Sequence, residues 1–204
     1  MNRTSSACTL GLLTLAAMSQ PALAATLSFD VVVDTTPIFN TAGSLAFDFL
    51  EGSPAPNDTA VISNFSSDAA LGAVTPSGDV SGNLLPGPLT LGDSQFFNEW
   101  LQGATFGNTI SFVLSVGTTS SATPDEFSFF LLDDTGSAFP TSDPSGANSM
   151  FFIELTGLNA LPSVFTSSFA SVTVTPVSAG VPEPATGATV LAGLAILLLR
   201  RLAA

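Results

Sequence analysis

Lysine, histidine and tyrosine are absent from this chain, and Cys8 is its one cysteine. The only basic side chains, Arg3, Arg200 and Arg201, sit near the two ends. Of the sixteen acidic residues, Glu183 lies in the C-terminal segment and the other fifteen lie between Asp30 and Glu154. The central region is therefore uniformly neutral or acidic. Such a surface repels nucleic-acid phosphates, which binding proteins neutralise with Lys and Arg, and it repels anionic lipid head groups as well. Without His, Cys, Lys, Tyr or Arg, the usual nucleophile–base pairs cannot be built there. Zinc sites with nitrogen or sulfur ligands are excluded. Phosphoryl transfer would lack cationic stabilisation unless metal supplied all of it, and no Gly-rich phosphate loop is present.

What the chain does have is apolar bulk: 17 Phe and 46% apolar residues, too hydrophobic for a disordered segment. The N-terminus reads as a secretory signal. Arg3 gives a positive start, an apolar stretch runs from Ala7 to Met18, and Pro21 ends it. Ala22-Leu23-Ala24 supplies a small-x-small site for signal peptidase, with cleavage expected after Ala24. Cys8 precedes that site, so it is not a lipoprotein cysteine, and the mature protein forms no disulfide.

A second apolar segment, Ala185 to Leu199, ends at Arg200-Arg201. As a helix it reaches about 22 Å, short of the roughly 30 Å hydrocarbon core. The arginines fit an orientation with this end held at the cytoplasmic face. In front of it, Pro182 and Pro184 lack N–H donors and have ring-fixed φ, which keeps Glu183 in an extended, exposed peptide. Together, Val181-Pro182-Glu183-Pro184, the apolar run and Arg200-Arg201 resemble the PEP-CTERM sorting signal of Gram-negative bacteria. That resemblance implies processing by an exosortase, passage through the inner membrane, and delivery to the cell surface or extracellular matrix of an organism that makes exopolysaccharide. The sorting residues it assigns are Pro182, Glu183, Pro184, Arg200 and Arg201. The chain divides accordingly into a signal peptide (1–24), a central domain (25–178) and a sorting tail (179–204).

The central domain alternates with period two. Leu27, Phe29, Val31 and Val33; Leu45, Phe47 and Phe49; Ile110, Phe112, Leu114 and Val116; Phe127, Phe129 and Leu131; Phe151, Ile153 and Leu155; and Val172 and Val174 each mark one buried face of a strand. A further strand is expected over Ala60 to Phe65. Turn clusters such as Pro76-Ser77-Gly78-Asp79, Pro86-Gly87-Pro88 and Asp133-Asp134-Thr135-Gly136 separate the runs. The pattern predicts an all-β fold, an antiparallel β-sandwich of jelly-roll or Ig type. One short helix is expected at Ser94 to Gln102, capped by Asp93, with Phe96, Phe97, Trp100 and Leu101 toward the core. Three stretches, Leu27-Ser28-Phe29-Asp30, Ser94 to Glu99, and Thr123 to Phe129 leading to Leu132-Asp133, resemble a small family of PEP-CTERM proteins. That likeness implies architecture and export, not chemistry.

Carboxylate chemistry is what remains. A glycosidase needs two acids facing one sugar. Asp125 and Glu126 are adjacent and point to opposite faces of a strand. Asp48, Glu99 and Glu154 are the possible partners, and nothing in the sequence pairs them. Asp134-Thr135-Gly136 matches an aspartic-protease triplet, but it occurs once and reads as a turn. Calcium accepts an all-oxygen site, and Asp125, Glu126, Asp133 and Asp134 are its candidate ligands, with Asn57-Asp58 and Asp143 beside other turns. Trp100 reads as core rather than as a sugar platform. The expectation is a non-enzymatic surface or matrix protein with a structural or adhesive role linked to exopolysaccharide. The alternative is a carbohydrate-binding module, with calcium as a candidate cofactor.

Overall fold

A computed structural model describes residues 25–52, 58–118, 123–157 and 160–177. The expected signal peptide with Ala22 and Ala24, and the expected sorting tail with its apolar segment, Pro182, Glu183, Pro184, Arg200 and Arg201, lie outside the described residues. No helix among the described residues is long and apolar enough to cross a membrane.

The described chain is all-β, in two antiparallel six-stranded sheets. The first has the order β12 (Ser171–Pro176), β1 (Ala25–Asp34), β8 (Thr109–Thr118), β3 (Thr59–Ser67), β6 (Leu89–Gly92), β5 (Val80–Gly82). The second has the order β11 (Ser163–Val164), β10 (Phe151–Glu154), β9 (Glu126–Asp133), β2 (Ala42–Leu50), β7 (Phe97–Thr105), β4 (Ala70–Ser77). Each long apolar alternation of the sequence becomes a strand, because period two puts all its large side chains on one face.

Those faces meet in one core. Phe29, Val31, Ile110, Phe112 and Leu114 from the first sheet are buried with Phe47, Phe49, Phe127, Phe129 and Phe151 from the second. Phe112 crosses the interface to contact Phe47 and Phe129, with ring centroids at 5.4 and 5.5 Å in edge-on geometry. Edge-to-face pairs of this kind contribute about 0.5–1.5 kcal/mol beyond area burial. In β3 the pairing with β8 slips between Ser63 and Ser66, where Asn64 takes a left-handed φ of 51°. The bulge turns Phe65 into the core three residues after Ile62.

The expected helix at Ser94 to Gln102 is not there; residues 97–105 form strand β7. Trp100 is core, as read, but Phe96 and Phe97 are exposed and Leu101 is only partly buried. The inward positions are Asn98, Trp100, Gln102 and Ala104, a strand alternation disguised by two amides. Those amides are hydrogen-bonded. Asn98 Nδ2 donates to the Gln95 and Phe49 carbonyls at 2.7 and 3.1 Å, and its Oδ1 accepts the Asp79 N–H at 2.7 Å. Gln102 Nε2 donates to the Gly72 carbonyl at 2.9 Å. Asp93 caps no helix; its Oδ2 accepts the Asp58 N–H at 2.8 Å.

Candidate acidic cleft on the second sheet

Because β2 and β7 pair in register, Asp48 stands directly opposite Glu99 on the outward face of the second sheet. The same cross-strand row continues through Ser128 to Phe152 on one side and to Ser77 on the other. The neighbouring row is Phe130, Ala46, Leu101 and Thr75. Directly opposed residues have Cβ atoms about 4.5–5.5 Å apart, so the two carboxylates share one site.

The turn after β9 raises a wall beside this row. Asp133 to Gly136 reverse the chain, Ala138 bridges back to Leu132, and Ala147 comes alongside. The result is an open cleft of about 220 Å³ lined by Ala46, Asp48, Glu99, Phe130, Leu132, Gly136, Ala138 and Ala147. Its only polar side chains are the two carboxylates. Burial pushes the Asp48 carboxyl up to about 7, and the Glu99 charge adds to that. Burial raises Glu99 as well. Asp48 Oδ1 is buried and has no hydrogen-bond donor among the described residues. The lining therefore offers two poorly solvated carboxyl groups against apolar walls, with no amide, hydroxyl or basic side chain.

The four expected calcium ligands do not form one set. Asp125 and Glu126 precede or begin β9 while Asp133 ends it, and eight strand residues at about 3.3 Å each place them roughly 25 Å apart. Asp133 is occupied by its own turn: Oδ1 accepts the Thr135 hydroxyl and the Thr135 and Ser137 N–H groups. Those bonds, the Thr135 hydroxyl first, hold its carboxyl below the ordinary value. Asp134 lies exposed in the same turn, which disposes of the protease-like triplet as a structural reversal with Gly136 at φ 81°. Glu126 accepts the Ser128 hydroxyl at 2.7 Å. Asp143 is buried in its loop, where the Ser145 and Ser149 donors outweigh the burial that would raise it.

Asp125 differs. It is buried at one end of the sandwich, where Oδ1 accepts the Gly52 N–H at 2.7 Å. Burial, together with the charges of Asp58 and Asp93, raises its carboxyl to about 6. Oδ2 has no donor among the described residues. Even so, no group of three or more acidic side chains among the described residues is arranged to hold a metal ion.

Sequence reasoning named Asp48 and Glu99 without pairing them. No local signal could have done so, because their meeting depends on the register of strands about fifty residues apart. Comparison of the chain with protein-family models, with curated proteins and with solved structures finds no match.

Proposed function

We propose that this chain is an exported, non-enzymatic surface or matrix protein, sorted by an exosortase and acting as a structural or adhesive partner of exopolysaccharide. One observation carries the reading: the ordered C-terminal series of Pro182-Glu183-Pro184, apolar run and Arg200-Arg201, placed behind an N-terminal export signal. The tail supplies delivery, with the extended Pro-Glu-Pro peptide presented to the protease and the arginines held at the inner face. The sandwich, with its two six-stranded sheets, is the cargo. Without cysteine, its stability rests on the phenylalanine core.

The test is expression of the full chain in a polysaccharide-producing Gram-negative host with and without its exosortase. A shortened, surface-located form that requires the enzyme, and that is lost when Pro182, Glu183 and Pro184 are all replaced by Ala, supports the reading. The same size and location in every case overturns it.

A carbohydrate-binding role is the second reading, favoured by the outward cleft. Sugar sites combine an apolar wall for the ring with a few polar groups that fix its orientation. Phe130 and Leu132 beside Asp48 and Glu99 provide that combination. Calcium dependence of such binding is tested by repeating a glycan titration in EDTA.

A further inference from the structure

Resting on the carbohydrate-binding reading, we infer that the Asp48–Glu99 cleft takes an amino sugar, binding its ammonium group between the two carboxylates and its ring against Phe130 and Leu132.

The chemistry of the lining selects the ligand. Every polar side chain in the cleft is a carboxylate, so the ligand must bring the hydrogen-bond donors. An ammonium group brings three and no acceptor. It also brings the positive charge that the protein does not supply, since residues 25–177 contain no Lys, Arg or His. Two carboxylates held opposite each other in a partly buried site repel, and an opposite charge between them removes that penalty.

The same lining rejects the common alternatives. A uronate or a phosphorylated sugar would place its anion against Asp48 and Glu99 with no donor or cation to receive it. An N-acetylated sugar keeps one amide N–H but loses the charge, so it satisfies the hydrogen bond and leaves the repulsion. The apolar side is equally definite. Ala46, Phe130, Leu132, Ala138 and Ala147 present carbon to the ring face, and the volume of about 220 Å³ suits one sugar unit of a chain that continues over the open side.

The experiment titrates the purified full-length chain at pH 7, where the Asp48 carboxyl is substantially ionised, with glucosamine oligomers, N-acetylglucosamine oligomers and oligouronates of equal length, followed by calorimetry. The expected result is that the glucosamine oligomer binds at least about tenfold more tightly than its N-acetylated counterpart, the oligouronate does not bind, and added salt weakens the binding. Asp48→Asn and Glu99→Gln should each weaken it about tenfold or more, while Asp30→Asn, on the exposed face of the other sheet, should not. Both cleft variants remove repulsion, so their melting temperatures should match or exceed that of the parent and confirm folding. Equal binding of the N-acetylated oligomer with the same loss in the variants would overturn the ammonium assignment while leaving a sugar site. Binding indifferent to Asp48→Asn and Glu99→Gln would overturn the location. No binding of any oligomer at millimolar concentration would overturn this inference and the carbohydrate reading together, but not the sorting assignment, which the exosortase experiment decides separately.

Discussion

The two sheets have similar inner faces and very different outer ones. On the first sheet the outward positions of β1 and its neighbours are Ser28, Asp30, Val32, Ser111, Val113, Ser115, Thr173 and Thr175, mostly small or β-branched, with no residue larger than Val or Asp, and half-buried to exposed. Ser28 and Ser115 satisfy each other at 2.9 Å. On the second sheet the outward positions include, beside the small Ala46, Thr75, Ser77 and Ser128, the large or charged Asp48, Leu50, Glu99, Leu101, Phe130 and Phe152, which are half-buried. A solvated sheet face needs nothing more than the first pattern. Charged groups partly withdrawn from water beside large apolar ones cost stability, and that cost points to use. That contrast is why the proposed sugar site is placed on the second sheet.

The largest expected effect tests what the sheets have in common. Phe129→Ala in the second sheet and Phe112→Ala in the first should each cost about 3–5 kcal/mol, read from denaturant unfolding. Both rings are buried and touch each other. A cost confined to one sheet would show that they do not share a core.

Next comes the contrast between the outer faces. Asp48→Asn should stabilise the protein by about 2–4 kcal/mol at pH 8, and Asp30→Asn should change stability very little. The sign follows from the direction of the shift. Asp48 has its carboxyl raised to about 7 in the folded protein against an ordinary value of 3.8. The stability it contributes is complete below about 4 and is lost as pH rises through 7. Asp125, raised to about 6, acts in the same direction over a slightly lower window. Asp68 opposes them. The Asn108 and Thr109 N–H groups hold it down to about 2, so its contribution is present above about 4 and fades as pH falls toward 2. Thermal melting from pH 3 to 8 should therefore peak near pH 4–5 and decline toward pH 8, and Asp48→Asn should flatten the upper part of that decline.

The smallest effect concerns calcium. With Asp133 and Asp143 occupied by their own loops and Asp125 about a strand's length away from Asp133, EDTA should leave the melting temperature unchanged. A drop of several degrees would restore a calcium site, and Asp125 would be the first residue to replace.

How much of this was legible in the sequence follows from how local each feature is. The long strands β1, β2, β8 and β9 could be read directly, because Phe29 to Val33 or Phe127 to Leu131 carry their own alternation. Strand β7 could not. Its inward positions include Asn98 and Gln102, and with Phe96, Phe97, Trp100 and Leu101 clustered, the apolar spacing imitates a helix. Only the partners of those amides, the Phe49 and Gly72 carbonyls among them, make such polar residues acceptable inside. Strand β4 was missed for a different reason: it is an edge strand, exposed along nearly its whole length, and has no buried stripe to announce it. The cleft was legible as a list of acids but not as a site, since the pairing of Asp48 with Glu99 is a property of sheet register.

The register of β2 and β7 forces Asp48 and Glu99 to share one poorly solvated site. Carbon-13 NMR of the Asp48 side-chain carboxyl across a pH titration tests that most directly. The expected result is an apparent pKa near 7 that falls in Glu99→Gln. An Asp48 carboxyl titrating near 4, unchanged by Glu99→Gln, would contradict it.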